Sequence, residues 1–161
     1  KKGKFSTNLI KISKKNLKKL EDHFVLIFTE ETRKSKNIIK EQRKNIKNII
    51  KNYDFIKSKV NVIDKALKSA NIKLIGETFH EHWIEKKKLT KNITNKKFNK
   101  MYSDLMKTDF FYGGKIIGAG GGGFFLMVAK NRQKVFNYLK NKKYRYTKIK
   151  FDFNGCKIIS S

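Results

Sequence analysis

Gly118-Ala119-Gly120-Gly121-Gly122-Gly123 places five glycines in six positions, and it is the stretch whose residue types most plainly suit chemistry. Without Cβ atoms such a run reaches positive φ and turns several backbone N–H groups toward one anion, so the task it fits is phosphate binding. The plain alternative is a glycine-rich hairpin that serves only close strand packing, at a high cost in conformational entropy. Three glycine motifs can be tested against the flanks. G-x-G-x-x-G is formally present at Gly118, Gly120 and Gly123, but a dinucleotide site needs strand, loop and then helix, and the β-forming Phe124–Ala129 (FFLMVA) follows. A Walker loop needs Gly-Lys followed by Ser or Thr, and Phe124-Phe125 stands there instead. Val128-Ala129-Lys130 echoes the lysine strand of protein kinases, yet it lies too close to the loop, and no His-Arg-Asp or Asp-Phe-Gly follows.

The other capable side chains are dispersed. Arg33 opens a helix near a strand end, where a guanidinium can hold a phosphate through charge-assisted bonds or simply sit solvated in a first turn. His80 and His82 lie two apart on a helix, so they point in different directions, and with no third ligand they define no metal site. Ile75, Phe79 and Trp83 share one helical stripe, the spacing of core residues. Glu77, Glu81 and Asp109 are the nearest carboxylates, but nothing pairs them at an acid–base spacing, and no catalytic base is nominated. Thr32 and Ser35 suit helix capping. Cys156 follows a turn glycine, is the single cysteine, and receives no role.

The elements that must position these residues can be read from apolar periodicity. Thr7 to Ile12 alternates like a strand, and Ser13 caps a lysine-rich helix running to Glu21. Phe24 to Thr29 (FVLIFT) is an unbroken β-forming run and is expected to be a central strand. From Thr32, the residues Ile38, Ile39, Gln42, Ile46, Ile49, Ile50 and Tyr53 form one stripe of a long helix; Phe55 to Ala70 and Ile72 to Leu89 predict two more. A break at Thr90 to Asn95 precedes a helix holding Phe98, Met101, Tyr102, Leu105 and Met106. Gly113 to Gly118 and Phe124 to Ala129 read as strands joined by the glycine loop, a helix starts at Asn131, and Tyr146 to Phe153 alternates as another strand. Asn154-Gly155 then turns into a short strand at Lys157 to Ile159. The sum is an α+β domain with about five strands and about five helices.

The chain has 161 residues, ordinary for one domain, with no repeat and no dividing linker. Forty Lys plus Arg against thirteen Asp plus Glu gives a net charge of +27, which makes acidic partners candidates. Only Arg33, Arg43, Arg132 and Arg145 are arginines; the excess of Lys, Asn and Ile, with no Pro, points to biased codon supply more than to a surface selected for phosphates. Hydrophobic residues at 39% suffice for a packed core. The absence of an apolar stretch near twenty residues, with one cysteine, leads to the expectation of a soluble, reducing, cytoplasmic setting and no membrane partner. The chain opens at Lys1 without an initiator Met and is expected to be a C-terminal piece, with residues 1–22 as the junction to the part before it.

Lys115–Ala129 (KIIGAGGGGFFLMVA) followed by a helix resembles the C-terminal glycine motif of the galactokinase, homoserine kinase, mevalonate kinase and phosphomevalonate kinase (GHMP) superfamily. Gly76-Glu77, then Phe79-His80-Glu81-His82-Trp83 and Lys86-Lys87, resemble the GE-x-x-HEHW-x-x-KK helix of its heptose 7-phosphate kinases, with Glu85 where an apolar residue is usual. Phe28–Gln42 (FTEETRKSKNIIKEQ) is similar to the pattern YTG-x-x-R-x-A-x-x-I-x-x-Q, keeping Thr29, Arg33 and Gln42 but carrying Glu30 in place of glycine. The likeness spans most of the chain but only the C-terminal half of such a kinase.

The resemblance implies an antiparallel sheet of about four to five strands packed with helices, and a role in an ATP- and Mg2+-dependent kinase that phosphorylates the anomeric hydroxyl of a heptose phosphate. In the family, the main ATP-phosphate loop, Pro-x-x-x-Gly-Leu-Gly-Ser-Ser, and the acid–base Asp belong to the N-terminal half, and neither is in this sequence. Gly118, Ala119, Gly120, Gly121, Gly122 and Gly123 are therefore implied to support the ATP-phosphate site, and Thr29, Arg33, His82 and Trp83 to line the sugar pocket. The implied partners are ATP, a sugar phosphate and the N-terminal half; this chain alone is expected to turn over little or nothing. A competing class is a polyanion-binding module, motivated by +27 and by the aromatic, basic Lys142 to Phe153. Against it, the lysines are spread along every helix and no nucleic-acid motif is present. An inactive remnant that kept the fold is the third reading.

Overall fold

The computed structural model describes residues 9–32 and 35–155, with the side chains of Ser35 and Lys36 left aside. Helix α1 (Lys14–His23) starts at Ser13, whose hydroxyl accepts the Asn16 N–H as expected, and runs directly into strand β1 (Phe24–Phe28). Helices α2 (Ser35–Lys44), α3 (Ile46–Ser58), α4 (Val60–Lys68) and α5 (Ile72–Lys86) follow. A short turn of 3-10 helix at Lys91–Ile93 leads to α6 (Lys96–Lys107). Strands β2 (Phe111–Ile116) and β3 (Phe124–Ala129) flank the glycine run, and α7 (Arg132–Asn141) and β4 (Tyr146–Lys148) complete the domain. Asn71, Asn95 and Asn131 cap α5, α6 and α7 by accepting the N–H three residues on, a role for the abundant asparagines that the sequence reading did not assign.

Among the described residues, the four strands form one antiparallel sheet in the order β2-β3-β1-β4. The apolar run of β1 is explained by its place inside the sheet, where both faces are covered. Val25 and Ile27 pack into a core with Trp83, Phe98, Leu105, Phe125 and Leu139, while Phe24 points into a second cluster with Leu20, Ile75, Phe79 and Val128. Helix α5 lies against β2 at a contact only glycine permits. A Cβ on Gly76 would fall 2.3 Å from the Cβ of Tyr112, and one on Gly113 2.1 Å from the Gly76 carbonyl. This approach of helix and strand backbones fixes where the rest of α5 points.

Several expected elements come out differently. Leu9–Ile12 form no strand, since β1 finds its neighbours in β3 and β4; Thr7 lies outside the described residues. The long helix expected from Thr32 to Tyr53 is divided at Asn45 (φ −102°, ψ 14°), a kink across which its N–H still reaches the Glu41 and Gln42 carbonyls. The stripe continues through the bend, which is why spacing alone could not see it. The helix expected from Phe55 is likewise divided at Lys59, between α3 and α4. The alternating stretch Tyr146 to Phe153 pairs only over Tyr146–Lys148, and Phe153 is 79% exposed. The strand expected at Lys157 to Ile159 lies outside the described residues, as does Cys156.

Candidate functional site

The glycine run joins β2 to β3 as the sequence predicts. Gly118, Gly120, Gly121, Gly122 and Gly123 all hold positive φ, from +71° at Gly118 to +149° at Gly122, so a side chain at any of them would be strained. The loop is clasped at its base. The Gly121 N–H donates to the Ile93 carbonyl at 2.8 Å and the Gly123 N–H to the Glu31 carbonyl at 2.8 Å. Those two donors are consumed inside the protein, which leaves fewer of the run's amides for an anion. Where the loop leaves β2 and enters β3 it is open: Ile117 and Gly118 are exposed, and a Cβ built on Gly118 or Gly123 would meet nothing within 4 Å.

Thr29, expected in the sugar pocket, is fully buried and works on the loop from behind. Its hydroxyl donates to the Gly123 carbonyl at 2.9 Å, with the Glu31 carbonyl at 3.3 Å, and its own N–H donates to Gly123 at 2.9 Å. The role is a clasp, because the one hydroxyl proton is used on backbone. Glu30, at the position where the resembling pattern has glycine, sits at φ +60°, the left-handed region that glycine occupies without strain. Its carboxylate reaches the Lys97 ammonium at 3.1 Å on the surface. Arg33 lies outside the described residues.

On α5, Trp83 follows the core spacing of its stripe. It is fully buried, with its ring edge-on to Phe125 at 5.5 Å and tilted against Tyr102 at 6.1 Å, and it is core, as the apolar stripe alone indicated. His80 points elsewhere: its Nδ1 lies 2.8 Å from the Tyr102 hydroxyl, which donates to the Gly114 carbonyl at 3.0 Å. That proton count makes His80 Nδ1 the donor to the phenol oxygen, and burial pushes the Tyr102 phenol well above its ordinary range.

His82 faces the other way, toward Lys86 one turn on and Lys115 on β2. Its Nδ1 is buried with no hydrogen-bond partner. Burial, reinforced by the charges of Lys115 and Lys86, lowers its pKa to about 4, so the ring is neutral near pH 7. Burial together with the Lys115 charge lowers Lys86 to about 8, and burial lowers Lys115 as well. The Lys86 ammonium donates to the Gly118 carbonyl at 2.5 Å, tying α5 to the exposed start of the loop. In the sequence Lys86 stands out only as part of its motif, and Lys115 does not stand out at all. The available signals were the one-turn spacing of His82 and Lys86 and the position of Lys115 just before the glycine run.

Among the described residues, no group of three His, Cys, Asp or Glu side chains is placed to hold a metal, and no helix is long and apolar enough to cross a membrane. In the aromatic, basic segment after α7, Tyr146 stacks on Phe136 of that helix at 5.2 Å, and Arg132 and Lys148 lie over the Phe136 ring at 5.5 and 5.3 Å.

Helices over an antiparallel sheet, with a glycine loop between two adjacent strands, make an α+β architecture. Solved structures share this fold. A mevalonate kinase from L. major, determined with R-mevalonate, matches with a TM-score of 0.60 at 18% identity over 74% of this chain. The Lin0012 protein from Listeria innocua matches with a TM-score of 0.61 at 17% identity over 77% of it. The matched region is 38% of the length of each of those chains. No protein-family model and no curated protein matches the sequence.

Proposed function

We propose that this chain is the C-terminal half of an ATP-dependent sugar kinase that phosphorylates the anomeric hydroxyl of a heptose phosphate. The observation that supports it most directly is the run of five positive-φ glycines between β2 and β3, set in a fold shared with mevalonate kinase. Phosphoryl transfer consists largely of positioning and charge neutralisation, so backbone loops from two halves can divide the work. In this reading Gly118 and Ala119 to Gly123 shape the phosphate site. The clasp from Thr29, Ile93 and Glu31 holds the loop's base, and the open space before Gly118 admits the ATP phosphates. In this reading Mg2+ is held mainly by the N-terminal half, which also supplies the acid–base group; among the described residues no group of three His, Cys, Asp or Glu side chains is placed to hold a metal. Bound ATP would supply the phosphoryl group; the residues here orient it and exclude water.

The test is sugar-phosphate-dependent ATP consumption by this chain alone and mixed with the N-terminal half of a related heptose kinase. Turnover is expected only in the mixture. Turnover by the chain alone would overturn the assignment of catalysis to the other half, and silence in both with intact folding would overturn the kinase reading.

A further inference from the structure

The electrostatics around His82, Lys86 and Lys115 are incomplete. His82 and Lys115 line a cleft of about 220 Å3 whose walls include Ile56, Val60, Ile63 and Phe79. The Lys115 ammonium lies over the Phe79 ring, 4.8 Å from its centroid, and Lys86, one helical turn after His82 and within the field of the Lys115 charge, donates to the Gly118 carbonyl. Elsewhere on the cleft rim, Lys59 is neutralised by Glu81 at 2.5 Å. Among the described residues, neither Lys86 nor Lys115 is paired with a carboxylate. Two half-buried ammonium groups thus repel each other beside an imidazole nitrogen that has no partner. An anion among them would turn that repulsion into two attractions in a partly desolvated place, where such pairs are strongest.

We propose that His82, Lys86 and Lys115 form a binding site for a phosphomonoester whose carbon body lies in the adjoining apolar cleft against Phe79. Two cations and a ring nitrogen match the roughly doubly charged, three-oxygen phosphate head better than they match a carboxylate. The apolar walls call for an attached organic body and distinguish the ligand from free phosphate. That the ligand is the acceptor of the phosphoryl transfer rests on the kinase reading; that the site binds such an ester does not.

The experiment titrates the 161-residue chain with mannose 6-phosphate, inorganic phosphate and mannose by calorimetry, and follows the His82 ring by NMR across pH. Lys86→Met and Lys115→Met keep the hydrocarbon stems, and Lys51→Met, an exposed lysine, is the control. Mannose 6-phosphate is expected to bind saturably and more tightly than either of its parts, with each site variant weakening it at least tenfold and the control unchanged. The bound phosphate should also raise the His82 pKa from about 4, against the charges of Lys86 and Lys115 and apart from the Lys59–Glu81 pair; this readout needs no variant and stands even if a variant fails to fold. Absence of saturable binding, equal binding by folded variants, an unmoved His82 titration, or inorganic phosphate binding as tightly as the ester would each overturn the proposal. Turnover in the mixed assay is read separately: lost turnover with intact binding removes the kinase reading and leaves this site standing.

Discussion

At the level of single residues, Glu30 is one of four non-glycine residues with positive φ among those described, and the half-buried His82 carries a pH signature. Glu30 holds φ +60°, a conformation that costs a side-chain-bearing residue about 1–2 kcal/mol, and its exposed pair with Lys97 returns little. Glu30→Gly is therefore expected to raise stability by up to about 1 kcal/mol after the added freedom of the unfolded chain is subtracted, read as a higher urea midpoint. For His82, the folded pKa of about 4 lies below the unfolded value of about 6.5. The unfolded chain thus binds the proton more readily, so the stability this residue contributes is complete above pH 6.5 and is lost as pH falls toward 4. Melting temperature measured from pH 7 to 4 should drop across that window, and His82→Gln should flatten the drop. Histidine spacing in the sequence gave no hint of this, because desolvation by α5 and β2 and the approach of Lys115 come from tertiary packing.

At the level of elements, the contact that matters most is α5 on β2. Phe79, His82 and Lys86 reach the cleft because Gly76 and Gly113 let two backbones touch. Gly76→Ala places a methyl 2.3 Å from Tyr112 Cβ, and overpacking of that kind should cost about 3 kcal/mol, detectable as a lower urea midpoint and a displaced Lys115–Phe79 contact. The strands β1 and β3, the helices α5 to α7 and the loop between β2 and β3 were legible as runs, stripes and glycines. The kink at Asn45 and the shortness of β4 were not. A bend that preserves the apolar stripe leaves periodicity unchanged, and alternation in Tyr146 to Phe153 says nothing about how far a partner strand extends. Likewise, motif likeness brought Thr29 and Trp83 toward a ligand, while their burial made one a loop clasp and the other core.

Across the whole molecule, +27 on 161 residues makes charge repulsion a continuous tax on folding. Screening should relieve it, so melting temperature is expected to rise between 50 mM and 500 mM sodium chloride; a fall would show that the observed ion pairs outweigh the repulsion. What the sequence by itself determined was the α+β class, the core-forming runs and the glycine loop, because burial periodicity and the absence of Cβ atoms act locally and leave their mark in residue order. Only the tertiary structure decided which amides of the loop are already spent, that Thr29 clasps the loop from within, and that Lys86 and Lys115 meet beside His82. Those facts depend on residues far apart in the chain being brought within a few ångströms, and no local pattern records that distance.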